Sequence, residues 1–204
     1  MLDLLQLGAA TLGESGGSPL APRLKPVWTG AAVLGPAFTV VCSPGDNLAV
    51  HVAVAEAPEG SVLCVEVEGG QQLGWWGEVL TTGAQSRNLA GLVIDACVRD
   101  VDALERLAFP VFSIGIALPG AKKMGPGRIG GTAVVGDAVI ATGDVIVGDR
   151  DGVVAIAAAR VDEVLAAGNA RTTKEADYFQ RLQAGATTLD LLGLDTSSIE
   201  RGAT

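Results

Sequence analysis

Two adjacent charges, Arg99 and Asp100, follow closely on an apolar run that opens Gly91-Leu-Val-Ile94. An arginine offers permanently charged N–H donors in a planar fork, and an aspartate offers hard oxygen for a divalent cation. Together they could hold the oxygens of an acidic ligand and a metal ion side by side. The structural alternative is that Asp100 caps a helix over 101–107 while Arg99 makes a surface ion pair.

A second stretch, Gly74-Trp-Trp-Gly77-Glu-Val-Leu80, could open a helix whose first amides bind a carboxylate, with Gly77 permitting close backbone approach. Trp75 and Trp76 read equally well as core or interface. The glycine-rich Gly120–Gly131 lacks the G-x-x-x-x-G-K-[ST] order of a phosphate loop. The lone histidine, His51, falls on the apolar side of its expected helix and reads as a satisfied core residue. Asp137, Asp144, Asp149 and Asp151 stand at Gly-Asp turns, where aspartate supports the backbone, and they lack the rest of a twelve-residue calcium loop.

The elements that would carry these residues alternate. Helix 47–56 follows Asp46, then come strand 61–67, helix 77–87, strand 91–96, helix 100–107 and strand 110–115, which implies βαβ crossovers and a largely parallel sheet. Ahead of them lie a short helix at 2–12, an irregular arm to residue 26, and Ala31–Val41, read as two strand pieces around Gly35-Pro36. Leu48, His51, Val52 and Ala55 form the expected inner face of the 47–56 helix. From residue 125 onward short β-branched runs broken by Gly-Asp turns predict an antiparallel layer, then a helix over 160–184 and a loose tail. The expected division is an arm (1–26), one α/β domain (27–190) and a tail (191–204).

Composition narrows the partners. The 204 residues carry a net charge of −9, which opposes binding to a phosphate backbone, and no run of about 18 uncharged apolar residues suggests a membrane span. Cys42, Cys64 and Cys97 are odd in number and apolar in setting, as buried thiols of a reducing, cytoplasmic compartment would be.

Taken together, Gly45-Asp-Asn-Leu48, Gly77-Glu-Val-Leu80, Gly91-Leu-Val-Ile-Asp95, Val98-Arg-Asp-Val101, Pro110-Val-Phe112, Gly143-Asp144 and Gly148-Asp-Arg-Asp-Gly-Val-Val154 resemble one family. It unites 4-hydroxy-4-methyl-2-oxoglutarate (HMG) aldolases with RraA-like regulators of ribonuclease E. The resemblance implies an α/β fold, a swivelling β/α sandwich with αββα-type layers and a partly parallel central sheet, assembled as a homotrimer or dimer of trimers. It implies a class II pyruvate aldolase acting on a small 2-oxo acid, with oxaloacetate decarboxylation as a further activity, and no nucleic-acid or membrane partner. Asp100 would bind Mg²⁺ or Mn²⁺; Arg99 would contact the pyruvyl oxygens; Gly77 and the amides of Val79 and Leu80 would bind the carboxylate. Glu78, and Glu175 from a neighbouring subunit, would be the acidic residues of proton transfer. The alternative branch is a non-enzymatic regulator that binds a ribonuclease. Two departures stand out, Ala96 where a glycine is common and the bulky Trp75-Trp76.

Overall fold

The computed structural model describes residues 2–200 and 202. In chain order the elements are α1 (Leu2–Glu14), β1 (Ser18–Pro19), β2 (Lys25–Pro26), β3 (Val33–Cys42), α2 (Leu48–Glu56), β4 (Val62–Val67), α3 (Glu78–Ser86), β5 (Gly91–Ile94), β6 (Cys97–Val98), α4 (Val101–Arg106) and β7 (Val111–Ser113). There follow β8 (Gly115–Ile116), β9 (Gly127–Ile129), β10 (Thr132–Val135), β11 (Ala138–Ala141), β12 (Val145–Gly148), β13 (Val153–Ile156), α5 (Val161–Gln183) and α6 (Thr188–Leu192).

β3, β4, β5 and β7 form a parallel core, and the flanking strands join antiparallel in the order β1-β13-β12-β3-β4-β5-β7-β2, with β9 on the second half of β3. Parallel strands covered on both faces must be apolar nearly throughout. All of Gly91–Ile94 is buried, as is every residue of Val62–Val67 except Glu66. On one face α2, α3 and α4 lay Val50, Ala53, Leu80, Ala84 and Leu104 over Val40, Leu63, Val65 and Leu92. On the other, the β10–β11 hairpin places Ala133, Val135 and Ile140 against Val62, Cys64, Val93 and Phe112. α1 and α5 cover the antiparallel wing through Leu4, Leu12 and Val164. The chain is thus a mixed α/β sandwich around a partly parallel sheet.

Several expectations are revised. β3 runs unbroken through Gly35-Pro36; Gly35 is there for close approach, because a methyl at that position would meet the Gly60 carbonyl oxygen at 2.5 Å. The inner face of α2 is Ala49, Val50, Ala53 and Val54, whereas Leu48 and Val52 lie outward. This helix is apolar all round, so periodicity could not orient it. Residues 18–26 supply two short strands, and the chain's end contains α6, begun by a reciprocal Thr187–Asp190 capping box. Only the first half of α5 packs; Phe179 is 59% exposed. The three cysteines are free and buried, and burial pushes the Cys42 thiol up to about 12. Among the described residues no helix is long and apolar enough to cross a membrane.

Arg23 ties the N-terminal segment to the body. Its guanidinium donates to both carboxylate oxygens of Asp95, at 2.7 and 2.9 Å, and to both of Asp137, at 2.9 Å. Asp95 also accepts the Gly136 amide at 3.1 Å. The hydrogen bonds from Arg23 hold the Asp137 carboxyl below its ordinary value. Stability from such a depressed group is present above the unfolded value, about 4, and is lost as pH falls through the folded one. Arg23→Ala is therefore expected to lower Tm at pH 7, and the gap from the parent protein should narrow between pH 5 and pH 3 in thermal melts.

Candidate active site

The carboxyl ends of the four parallel strands open on one side, where α/β proteins bind ligands. The loop after β3 leads into α2 with Asn47 and His51; the loop after β4 carries Gly74–Gly77 into α3. The segment after β5 brings Arg99-Asp100, and the segment after β7 brings Gly120, Ala121 and Lys123. These residues, with Val79 and Leu80, line one cleft of about 150 Å³. Residues separated by as much as 76 positions in the sequence therefore meet through the parallel register alone.

Asp100 sits at the N-cap position of α4 but does not cap it. Its backbone is left-handed, at φ 58° and ψ 40°, and its carboxylate turns away from α4 to accept the Glu78 amide at 3.0 Å. A non-glycine residue held there costs about 1–3 kcal/mol, which surrounding structure must offset. The capping alternative fails, and the side chain is spent on the cleft. Arg99 extends beside it, with Nε 3.8 Å from Asp100 Oδ2 and the two side chains 44% and 42% exposed. Among the described residues its guanidinium makes no hydrogen bond. It lies in a slot of three glycines, since a methyl on Gly74 would meet Arg99 Cδ at 3.0 Å, one on Gly77 Arg99 Cγ at 3.2 Å, and one on Gly120 Arg99 Nη1 at 3.2 Å. Gly77 also permits the approach of Asp100 to the α3 amides.

The first amides of α3 face the same space. Glu78 N is used by Asp100, and among the described residues Val79 N and Leu80 N have no partner, as first-turn amides open to an anion would not. The Glu78 side chain does not line the cleft; Oε1 accepts from Arg106 Nη2 at 2.7 Å. Glu175 is not brought here within one chain either. It pairs with Arg171 at 2.7 Å on α5, and Arg171 also reaches Glu14.

Two cleft residues, Asn47 and Lys123, carry no role in the sequence reading, and a third, His51, is expected in the core. Asn47, only 4% exposed, donates through Nδ2 to the Trp75 carbonyl at 2.8 Å while its Oδ1 has no partner among the described residues. His51 lines the cleft instead of the core, its buried Nε2 has no partner among the described residues, and burial together with Lys123 lowers its pKa, so it stands neutral. Both are orphaned polar atoms awaiting a ligand or water. Lys123 adds a second cation. The signal existed, as Asn47 and His51 lie four apart on one helix side, but the all-round apolarity of α2 concealed it.

Trp75 and Trp76 are core residues, 0% and 1% exposed, and do not fill the cleft. Their backbone frames it: the Trp75 carbonyl holds Asn47, and the Trp76 carbonyl accepts the Arg99 amide at 2.9 Å.

Asp100 fits a hard divalent cation, because its carboxylate is half-exposed and released from capping. No cluster of three or more metal-ligating side chains occurs among the described residues. A cation here would take most of its ligands from water and the bound acid.

A cationic, amide-lined cleft with one half-exposed carboxylate thus lies at the carboxyl edge of a partly parallel sheet in an α/β sandwich. The RraA-like family model, described as Aldolase/RraA, matches residues 9–155, and the chain belongs to that family. A Halalkalibacterium halodurans protein provisionally named a 4-hydroxy-4-methyl-2-oxoglutarate aldolase is 37% identical over 146 residues, 72% of this chain and 70% of that one. Among solved structures, an uncharacterised Pseudomonas syringae protein superposes with a TM-score of 0.82 at 24% identity, covering 95% of this chain and 94% of that one. Streptomyces coelicolor RraAS2, described as an unusual member of the RNase ES inhibitor RraA family, gives a TM-score of 0.74 at 24% identity, covering 88% and 94%. At that identity the two structures establish the fold.

The contact between Gly77 and Asp100 can be tested by a double-mutant cycle. Gly77→Ala should destabilise the protein by about 1–3 kcal/mol through overpacking, and Asp100→Ala in the same chain should recover most of that loss in denaturant titrations.

Proposed function

We propose that this protein is a divalent-metal-dependent class II pyruvate aldolase, a carbon–carbon lyase that cleaves 4-hydroxy-2-oxo acids such as HMG and also decarboxylates oxaloacetate. The observation that carries the reading is Asp100, turned out of its capping position at the cost of backbone strain and set beside an arginine whose guanidinium makes no hydrogen bond among the described residues. Family membership and the provisional name of the Halalkalibacterium halodurans relative support it.

The residues suit the chemistry. The free amides of Val79 and Leu80 bind the 1-carboxylate of a 2-oxo acid, with Gly77 admitting its close approach, and Asn47 Oδ1 and neutral His51 satisfy polar atoms or water beside it. Arg99 donates to the oxygens that gain charge as the C–C bond breaks, an interaction stronger in the transition state than in the bound acid. Asp100 would hold Mg²⁺ or Mn²⁺, which supplies Lewis acidity toward the 2-oxo group.

Removal of the 4-hydroxyl proton falls to a water assisted by a carboxylate. Glu78 is the nearest candidate; its exposed pair with Arg106 is worth no more than about 1 kcal/mol and yields readily. Glu175 serves from α5 of a second copy in a homotrimer or dimer of trimers. The unpacked second half of that helix is the observation that favours assembly.

The second reading is a regulator that binds a ribonuclease, supported by the likeness to RraAS2. A coupled pyruvate assay with HMG and oxaloacetate separates the two. Turnover should vanish with chelator and return with Mg²⁺. Asp100→Asn should stay folded and lose the metal response, and Arg99→Lys should lower kcat by about 10²–10³-fold. Turnover indifferent to chelator would sink the metal assignment; no turnover of either acid, with capture of a purified ribonuclease, would favour the regulator.

A further inference from the structure

The segment 119–127 crosses the cleft mouth as a strap, and it is fastened at both ends. Gly74 N donates to the Pro119 carbonyl at 2.7 Å, on the β4 side. On the β3 side, Lys122 N donates to the Gly45 carbonyl at 2.8 Å and Asn47 N to the Lys122 carbonyl at 2.9 Å, while Ser43 Oγ donates to the Pro126 carbonyl.

At the centre of this second fastening is Asp46, a carboxylate only 6% exposed that makes no ion pair among the described residues. Its Oδ2 accepts the Met124 amide at 2.5 Å and its Oδ1 accepts the Leu48 amide at 3.0 Å in the first turn of α2. Gly125 packs against it so closely that a methyl there would lie 3.0 Å from Asp46 Cβ and Cγ. Burial would raise the Asp46 carboxyl, but the amides of Met124, Leu48 and Gly125, together with the Lys123 charge, outweigh it and bring the group below its ordinary value. A buried carboxylate satisfied by backbone amides fixes those amides more firmly than a surface ion pair could.

Both cleft walls that sequence reading missed depend on this one side chain. One oxygen starts the helix that carries Asn47 and His51; the other anchors the strap immediately after Lys123. We propose that Asp46 is a positioning residue, whose carboxylate holds the strap so that the Lys123 ammonium stands over the cleft to meet the distal acidic group of the substrate. The assignment rests on the pyruvate-aldolase reading for the identity of that substrate, a 2-oxo dicarboxylate; the strap itself does not.

Asp46→Asn is the discriminating variant. The amide keeps one acceptor oxygen for Leu48 but presents an N–H₂ group to the Met124 and Gly125 amides, where donor faces donor. His51 is the one histidine of the chain, so its NMR titration is assigned without ambiguity and reports its burial together with Lys123. Lys123 helps to lower the His51 pKa, so a strap released by Asp46→Asn should let that value rise, as Lys123→Met should. Losing the Asp46 charge alone would move it down, which separates displacement of the strap from simple charge removal. Hydrogen exchange at Met124 and Gly125 should quicken at least tenfold in Asp46→Asn, with β4 and β5 amides unchanged. In calorimetry, both variants should weaken 2-oxoglutarate by about tenfold relative to 2-oxobutyrate, which lacks the second carboxylate.

Unaltered exchange at Met124 and Gly125, or a His51 value that falls, overturns the role of Asp46. Faster exchange with unchanged discrimination between the two acids overturns its connection to the substrate. If the parent protein binds neither acid, the aldolase reading is the one that fails, and exchange and titration still decide whether Asp46 positions Lys123.

Discussion

The cleft hangs on one short length of backbone, Trp75-Trp76. The Trp75 carbonyl takes the Asn47 side chain, the Trp76 carbonyl takes the Arg99 amide, and Trp75 N donates to the Cys97 carbonyl at 3.0 Å. Loops after β3, β4 and β5 are thereby referred to the same few atoms. That backbone is immobile because its two side chains are. Trp76 stacks on Phe109 with centroids 5.9 Å apart and donates Nε1 to Thr81 Oγ1 at 2.6 Å; Trp75 donates Nε1 to the Gly70 carbonyl at 2.8 Å. Each buried indole thus has its polar atom satisfied, the condition under which large aromatic side chains rigidify a core without a desolvation penalty. The bulk of the two tryptophans works behind the cleft, as a fixed frame for small-residue contacts in front.

Those small-residue contacts set the second constraint. Arg99 is admitted by glycines at 74, 77 and 120, and Asp100 reaches the start of α3 only because Gly77 has no side chain. Helix α4 could have been capped by Asp100 in the ordinary way, with extended backbone and lower energy. Instead the residue is left-handed and its carboxylate serves the neighbouring helix. Strain retained against an available relaxed alternative marks a site where position matters more than stability.

Legibility in the sequence followed how local each determinant was. The near-continuous apolar runs of β4 and β5 and the alternation of strands and helices from 47 to 115 were readable, because a parallel sheet buried on both faces leaves little choice of residue. Arg99-Asp100 and Gly77–Leu80 were readable as candidates, since charge at a strand's carboxyl end and glycine before a helix have local meaning. His51 was misread because α2 is apolar on every side, so no periodicity told cleft from core. Gly120–Gly131 lacks the order of a phosphate loop and shows nothing else locally; its role as a strap exists only through partners 45 to 83 positions earlier. Asp46 stands in sequence just ahead of the expected helix, and its grip on Met124 is hidden for the same reason.

The charge balance ties these parts together. A chain of net charge −9 has built a cleft whose lining holds two cations, Arg99 and Lys123, against one carboxylate, Asp100. Local reversal of sign inside an acidic surface concentrates field at the cleft, because its walls are of low dielectric and the donors are fixed. It also accounts for neutral His51, which burial and Lys123 both hold deprotonated, leaving an imidazole that can accept as well as donate. On the proposed aldolase reading such a cleft suits an acid with more than one anionic group, since a single carboxylate on the α3 amides would leave a cation without a partner. The sheet supplies the edge, the tryptophans fix the frame, and the glycines admit the charges; selectivity then rests on where the second cation is held.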